Sequence, residues 1–215
     1  MPKTIFNAHV CRSSILLFVG SALACSGALM TGCSSTPTRS GDALSEIDPA
    51  IAYSKRRHAE ALEHYQTASA LHLDDQTDEA LAEYRMAIEL DKKLYAAWNN
   101  MGQLLMEQGN YADAVSAFKV ASGLEPSDPR PQYNMGIAYQ RVGWAKDSFE
   151  HFVSALERDP NYLPALRGAI RAADMLGAGT EPILGYIKTA QLRETDEEWR
   201  EYLSTQYYRV QALLK

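Results

Sequence analysis

Histidine and acidic side chains are the residues of this sequence that could support acid–base catalysis or bind a metal. His58 and His64 are six residues apart, a spacing that places them on different faces of a helix. His72 precedes two acids that we expect to be solvated, and His151 follows Glu150 where a surface position is expected. A metal needs three or four converging ligands, which this spacing does not provide. We therefore expect no catalytic residue, no metal site and no cofactor.

Cysteine chemistry is restricted to the N-terminal region, which contains all three cysteines. Lys3 and Arg12 precede an apolar run from Ser13 to Met30, and small residues follow it. This order of a basic segment, an apolar segment and small residues is typical of a secretory signal. We expect removal of this signal to leave no pair of thiols for a disulfide.

The residues Leu29–Cys33, LMTGC, resemble a bacterial lipobox, in which processing leaves a lipid-modified cysteine at the new N terminus. The resemblance implies a lipoprotein signal peptide over residues 1–32 and lipidation of Cys33. Ser34 follows the cysteine, so we expect a lipid-anchored protein of the bacterial cell envelope, on the outer membrane facing the periplasm. Processing at Cys25 and an uncleaved membrane anchor are the alternatives. Residues 33–47 are rich in Ser, Thr and Pro, which predicts a flexible tether.

A pattern of glycine, alanine, aromatic and proline residues recurs after 34 residues, at Met101–Pro126 and Met135–Pro160. The preceding frame, Thr67–Lys92, keeps the small and aromatic positions, and the following frame, Ala169–Glu194, is degenerate. A period of this length is typical of stacked structural repeats. Within each unit, apolar residues at spacings of three and four predict two helices, because that is the period of one helix face.

The repeated residues resemble the tetratricopeptide repeat, and they are Trp98, Met101, Gly102, Leu105, Ala114, Phe118 and Pro126. The resemblance implies an all-α solenoid of helix–turn–helix units over residues 48–194. The implied units are residues 61–94, 95–128 and 129–162, with a degenerate unit at 163–194.

The two ends of the solenoid carry their own helix signals. Asp48 can cap a helix that begins with Pro49 and continues to about Leu73. At the other end, Thr195 or Asp196 can cap a last helix with an aromatic and apolar stripe. We expect residues 195–215 to form a C-terminal capping helix that covers the last repeat, with a docking surface for a partner protein as the alternative.

In tetratricopeptide proteins the first helix of each pair lines a concave groove that binds peptides. The resemblance implies a groove site formed by Tyr65, Asn99, Asn100, Gln103, Arg130, Tyr133, Asn134, Arg141, Arg167 and Arg171. Arginines can bind carboxylates in a bidentate way, so an acidic partner segment is one interpretation of this set. The other is that these arginines pair with neighbouring acids of the chain itself.

The expected function is that of a non-catalytic, membrane-anchored adaptor that binds a protein or peptide segment. The net charge of −6 argues against a nucleic acid partner, and no motif for a small-molecule substrate is present. A pilotin-like assembly factor for a pilus or secretion complex is a narrower alternative, based on architecture alone. A cell-envelope enzyme is a further alternative, which the lack of a catalytic constellation disfavours.

Overall fold

The computed structural model of the chain describes residues 48–215, and all regular secondary structure in that range is helical. The predicted signal peptide, lipid site and tether at residues 1–47 lie outside the described residues. The helices of the described range are α1 (Pro49–Leu73), α2 (Thr77–Leu90), α3 (Tyr95–Glu107), α4 (Tyr111–Leu124), α5 (Arg130–Arg141), α6 (Ala145–Arg158), α7 (Leu163–Met175), α8 (Glu181–Gln191) and α9 (Glu197–Leu213). Each helix packs mainly on its neighbours in sequence, which confirms the predicted all-α helical repeat fold.

Local sequence signals account for where these helices begin and end. The Asp48 carboxylate accepts a hydrogen bond from the backbone N–H of Ala50, 2.8 Å away, and Asp196 caps α9 through the N–H of Trp199. Gly109 and Gly143 follow α3 and α5 with φ angles of 79° and 80°, which glycine adopts without a steric penalty. The chain therefore reverses direction at equivalent points of successive helix pairs.

An aromatic side chain packed on glycine forms the centre of the second and third helix pairs. Phe118 of α4 is fully buried, and a Cβ atom on Gly102 of α3 would lie 2.6 Å from its ring. Phe152 of α6 is also fully buried, and it lies between α5 and α7, where Cβ atoms on Gly136 and Gly168 would be 2.7 and 2.6 Å from its ring. These distances are too short for any side chain, so glycine is required for the helices to approach.

The long helix α1 is attached to the following helices by histidine–carboxylate contacts. His58 Nδ1 lies 2.6 Å from Asp91, His64 Nδ1 lies 2.5 Å from Glu83, and His72 Nε2 lies 2.9 Å from Glu107. The expectation that His72 sits among solvated acids at a helix end missed this contact with α3. The reason is that Glu107 is 35 residues further along the chain, so only the stacking of the helices brings the two together.

His151 is less exposed than its sequence suggests, because it is half-buried. Its ring stacks on Tyr139 at 5.0 Å, and its Nδ1 atom lies 2.8 Å from the side-chain oxygen of Gln132. Burial lowers the pKa of His151. Within residues 48–215, no group of three or more histidine, cysteine or acidic side chains is placed to hold a metal ion.

The helices between residues 48 and 215 include none that is long and apolar enough to cross a membrane.

We predict that Gly136→Ala destabilises the protein, because the added methyl group would overlap the buried Phe152 ring. Overpacking of this kind costs about 1–3 kcal/mol, which thermal or urea unfolding followed by circular dichroism will measure.

The matched control is Gly185→Ala in α8, where the Cβ atom would meet nothing within 4 Å. There the better helix propensity of alanine should stabilise by up to about 1 kcal/mol. Equal effects at the two positions would contradict the proposed packing.

Candidate binding groove

A row of hydrogen-bonded side chains connects the first helices of three successive pairs. Asn134 Nδ2 of α5 donates to Asn99 Oδ1 of α3 at 3.4 Å, and Asn99 Nδ2 donates to Asn100 Oδ1 at 3.3 Å. Asn100 Nδ2 then donates to the Tyr65 hydroxyl of α1 at 3.2 Å. These four residues, all expected in the groove, are therefore brought together as one network, which we call the amide row.

The amide row contains both supporting and accessible members. Asn99 and Asn134 are only 4% and 6% exposed, and their amides bond each other, so they hold α3 and α5 together. Tyr65 and Asn100 are half-buried and keep part of their surface in the groove. The accessible members can therefore contact a ligand while the buried ones keep them in position.

Tyr133, the residue before Asn134 of the amide row, lines a cavity of about 300 Å³ where α5, α7 and α9 meet, here called the end pocket. Its walls include Tyr133, Ile137, Leu163, Arg167, Arg171 and Trp199. Three of the expected groove residues, Tyr133, Arg167 and Arg171, thus lie in one concave site. The apolar walls can pack against a side chain of a ligand, and the cationic groups can bind a polar group attached to it.

Arg167 is fixed in the end pocket by a buried carboxylate. Its Nε and Nη2 atoms donate to the two oxygens of Glu194 at 2.8 and 2.5 Å, and the Glu194 side chain is fully buried. Glu194 also accepts hydrogen bonds from the backbone N–H groups of Thr195 and Asp196. The hydrogen bonds from Arg167 and from these N–H groups lower the pKa of Glu194, although burial opposes them. Glu194 thereby neutralises Arg167 and holds it in one orientation.

Trp199, in the first turn of α9, connects the two arginines of the pocket. The guanidinium carbons of Arg167 and Arg171 each lie 4.8 Å from the centre of its ring. Such cation–π contacts stabilise more strongly when the groups are partly shielded from water. Because Trp199 stands in the first turn of α9, the last helix forms part of the wall of the end pocket.

Tyr133 forms the aromatic side of the end pocket and rests on the core. Its ring centre lies 5.8 Å from that of Phe152 and 5.6 Å from that of Tyr162, in an edge-on arrangement with the latter. Burial raises the pKa of Tyr133, and the positive charges of Arg167 and Arg171 partly oppose this shift. The Tyr133 hydroxyl is therefore neutral at physiological pH and can both donate and accept a hydrogen bond.

The remaining expected residues do not join either group. Arg130 binds Asp128, with Nη2 2.6 Å from the carboxylate, and lies over the ring of Tyr95 at 5.7 Å. Hydrogen bonding to Asp128 raises the pKa of Arg130. Arg141 is exposed at the last position of α5, and Gln103 is half-buried on α3. Acids of the chain itself therefore neutralise two of the four expected arginines, Arg130 and Arg167.

Family comparisons agree with this repeated helical geometry. Residues 83–116 match the family described as "Tetratricopeptide repeat", and residues 102–143 match the family described as "TPR repeat". The chain contains tetratricopeptide repeats.

Proteins similar to this chain include the human Superkiller complex protein 3, 26% identical over 93 residues, or 43% of this chain. The peroxisomal targeting signal receptor of Kluyveromyces lactis is 32% identical over 73 residues, or 34% of this chain. The matches span only 6% and 13% of the lengths of these relatives.

Among solved structures, the first TPR of Spaghetti (RPAP3) bound to the HSP90 peptide SRMEEVD has the same fold. It aligns with a TM-score of 0.54 at 18% identity, over 56% of this chain and 96% of that one.

Two important groups of the end pocket are absent from the sequence-based expectations for the groove. Trp199 falls in the aromatic and apolar stripe predicted for the last helix, and no motif in the sequence includes Glu194. The amphipathic pattern of α9 places Trp199 on the same face as the core residues Leu203 and Val210. The pattern alone therefore does not distinguish a pocket residue from a core residue. Glu194 carries no distinguishing signal, because its burial depends on Arg167, which is 27 residues earlier in the chain.

We predict that Glu194→Gln reduces stability at neutral pH by about 1–3 kcal/mol, because it removes charge-assisted hydrogen bonds to Arg167. The pKa of Glu194 is lowered in the folded protein, so its contribution is present above the ordinary glutamate value of about 4.3 and is lost as the pH falls through the folded value. The stability difference between wild type and Glu194→Gln should therefore narrow below about pH 4.

The control for this measurement is Glu157→Gln, which changes an exposed glutamate of α6. Urea unfolding at a series of pH values should give parallel curves for this control and wild type. A Glu194→Gln deficit that stays constant down to about pH 3 would contradict the role assigned to the Arg167–Glu194 pair.

Proposed function

We propose that this protein is a non-catalytic adaptor that binds an extended segment of a partner protein in the groove formed by α1, α3, α5 and α7. The observation that carries the proposal is the amide row, which connects α1, α3 and α5 from Tyr65 to Asn134, the neighbour in sequence of the end-pocket residue Tyr133. Side-chain amides can bond the backbone of an extended chain, and tyrosine rings can pack against its side chains. Arg171 and the cationic side of the end pocket favour a segment with an acidic group.

The compared proteins support binding of this kind. The solved repeat structure with a similar fold is a complex with a peptide, and one relative is named as a receptor for a targeting signal. A groove that holds an extended segment is therefore compatible with this fold, and the residues that would choose the segment are those of this chain.

The adaptor is proposed to be held at the bacterial outer membrane, on its periplasmic side, by a lipid on Cys33. The supporting observation is the lipobox-like LMTGC sequence that ends at Cys33, followed by the Ser- and Thr-rich residues before Asp48. An extended chain over residues 33–47 would span at most roughly 50 Å, so it would allow the groove to reach partners near the membrane surface. A pilotin-like role in assembling a pilus or secretion complex is a narrower form of the same proposal, which neighbouring genes for such a complex would favour.

The groove proposal predicts that a photo-crosslinking residue placed at Gln103 or Gln140 captures a partner of discrete mass in intact cells. Gln103 lies on α3 and Gln140 lines the end pocket. The same residue at Lys119, exposed on α4, serves as the control because it lies on the second helix of its pair. Capture of that partner mainly through Lys119 would contradict the proposal.

The anchor proposal predicts that Cys33→Ser abolishes incorporation of labelled fatty acid and leaves the unprocessed precursor. Cys25→Ser is the control and should change neither labelling nor processing. Continued labelling of the Cys33→Ser protein would show that the lipid is attached elsewhere or that the N terminus is not a lipoprotein signal.

A further inference from the structure

The end pocket has an apolar interior of a size that suits a single side chain. Ile137, Leu163 and Gly168 line it, and the rings of Tyr133 and Trp199 form its sides. Its volume of about 300 Å³ is at the lower end of the range for ligand sites, so it can receive one large aliphatic or aromatic side chain but not a longer apolar segment.

One of the two arginines of the end pocket has no acidic partner among residues 48–215. Arg167 is neutralised by Glu194, whereas Arg171 is exposed and forms neither a hydrogen bond nor an ion pair with any residue from 48 to 215. The Asp196 carboxylate caps α9 through the N–H of Trp199, 3.0 Å away, and forms no ion pair with Arg171. Arg171 is therefore the one arginine of the pocket that can bind an external anion.

The position of Arg171 over Trp199 leaves its donors available. A guanidinium uses its face when it lies over an aromatic ring, and its N–H donors point outward in the plane of the group. Arg171 can therefore stay on Trp199 and still bind a carboxylate through two parallel hydrogen bonds.

From this arrangement we infer that the end pocket binds the C-terminal residue of the partner protein, with a large apolar side chain in the cavity and the terminal carboxylate on Arg171. A C-terminal residue carries both groups on one Cα atom, which matches one cavity beside one free cation. An acidic run would require several unneutralised cations, and Arg130 and Arg167 are already paired. This inference rests on the proposed function, because it assigns the chain terminus of the same partner to one end of the same groove.

The test uses the purified full chain and labelled peptides with the sequence Gly-Ser-Gly-Ser-Gly-Ser-Leu, titrated by fluorescence anisotropy. The peptide with a free carboxylate should bind at least about tenfold more tightly than its C-terminal amide, since a charge-assisted bidentate contact is lost in the amide. Replacing the final Leu by Ala should weaken binding by about tenfold or more, because most of the apolar side chain is removed.

Two variants assign the effect to Arg171. Arg171→Gln should abolish the difference between acid and amide, while Arg85→Gln, at an exposed arginine on α2 outside the pocket, should leave it unchanged. Circular dichroism melting should be unchanged in Arg85→Gln and only slightly lowered in Arg171→Gln, which loses its contact with the Trp199 ring but is exposed.

Three results would overturn the inference. They are no binding of the free-acid peptide to wild type, equal binding of acid and amide, and equally tight binding of an amidated peptide with an internal Glu-Leu pair. None of them affects the crosslinking result at Gln103, on which the proposed groove function is judged separately.

Discussion

The contact between Phe152 and the two glycines Gly136 and Gly168 is the interaction on which the groove depends. It lets both α5 and α7 approach the same ring, and it supports Tyr133, whose ring packs on Phe152. Gly168 also lines the end pocket, so the residue that admits the core ring shapes the groove surface. Packing inside the solenoid and the shape of its concave face are therefore set by the same few atoms.

The last helix has two roles that follow from its position at the end of the solenoid. Leu203 and Val210 are fully buried and cover the final helix pair, which would otherwise expose its apolar face. The first turn of α9 adds Trp199 to the end pocket, and the segment just before it contains Glu194, which holds the pocket residue Arg167. The pocket at this end of the groove thus depends on a helix outside the repeated units.

The repeat period explains how much of the structure could be predicted. The helices, the buried aromatics Tyr84, Phe118 and Phe152 and the equivalent residues Asn100 and Asn134 follow from it, because these positions recur at the 34-residue spacing. The Arg167–Glu194 pair could not be predicted in this way, since Glu194 lies where the pattern has become degenerate. It also could not be predicted that Arg130 is neutralised and Arg171 is not, because the neutralisation of an arginine depends on which acid the fold places beside it.

The central claim, that the first helices of the pairs form the interaction face, is tested most directly by amide hydrogen exchange with and without the partner segment recovered from the groove crosslink. The account predicts slower exchange in α3, α5 and α7 and in the first turn of α9 when the segment is bound, with α4 and α6 unchanged. Protection confined to α4 and α6 would place the binding face on the second helices and contradict the account.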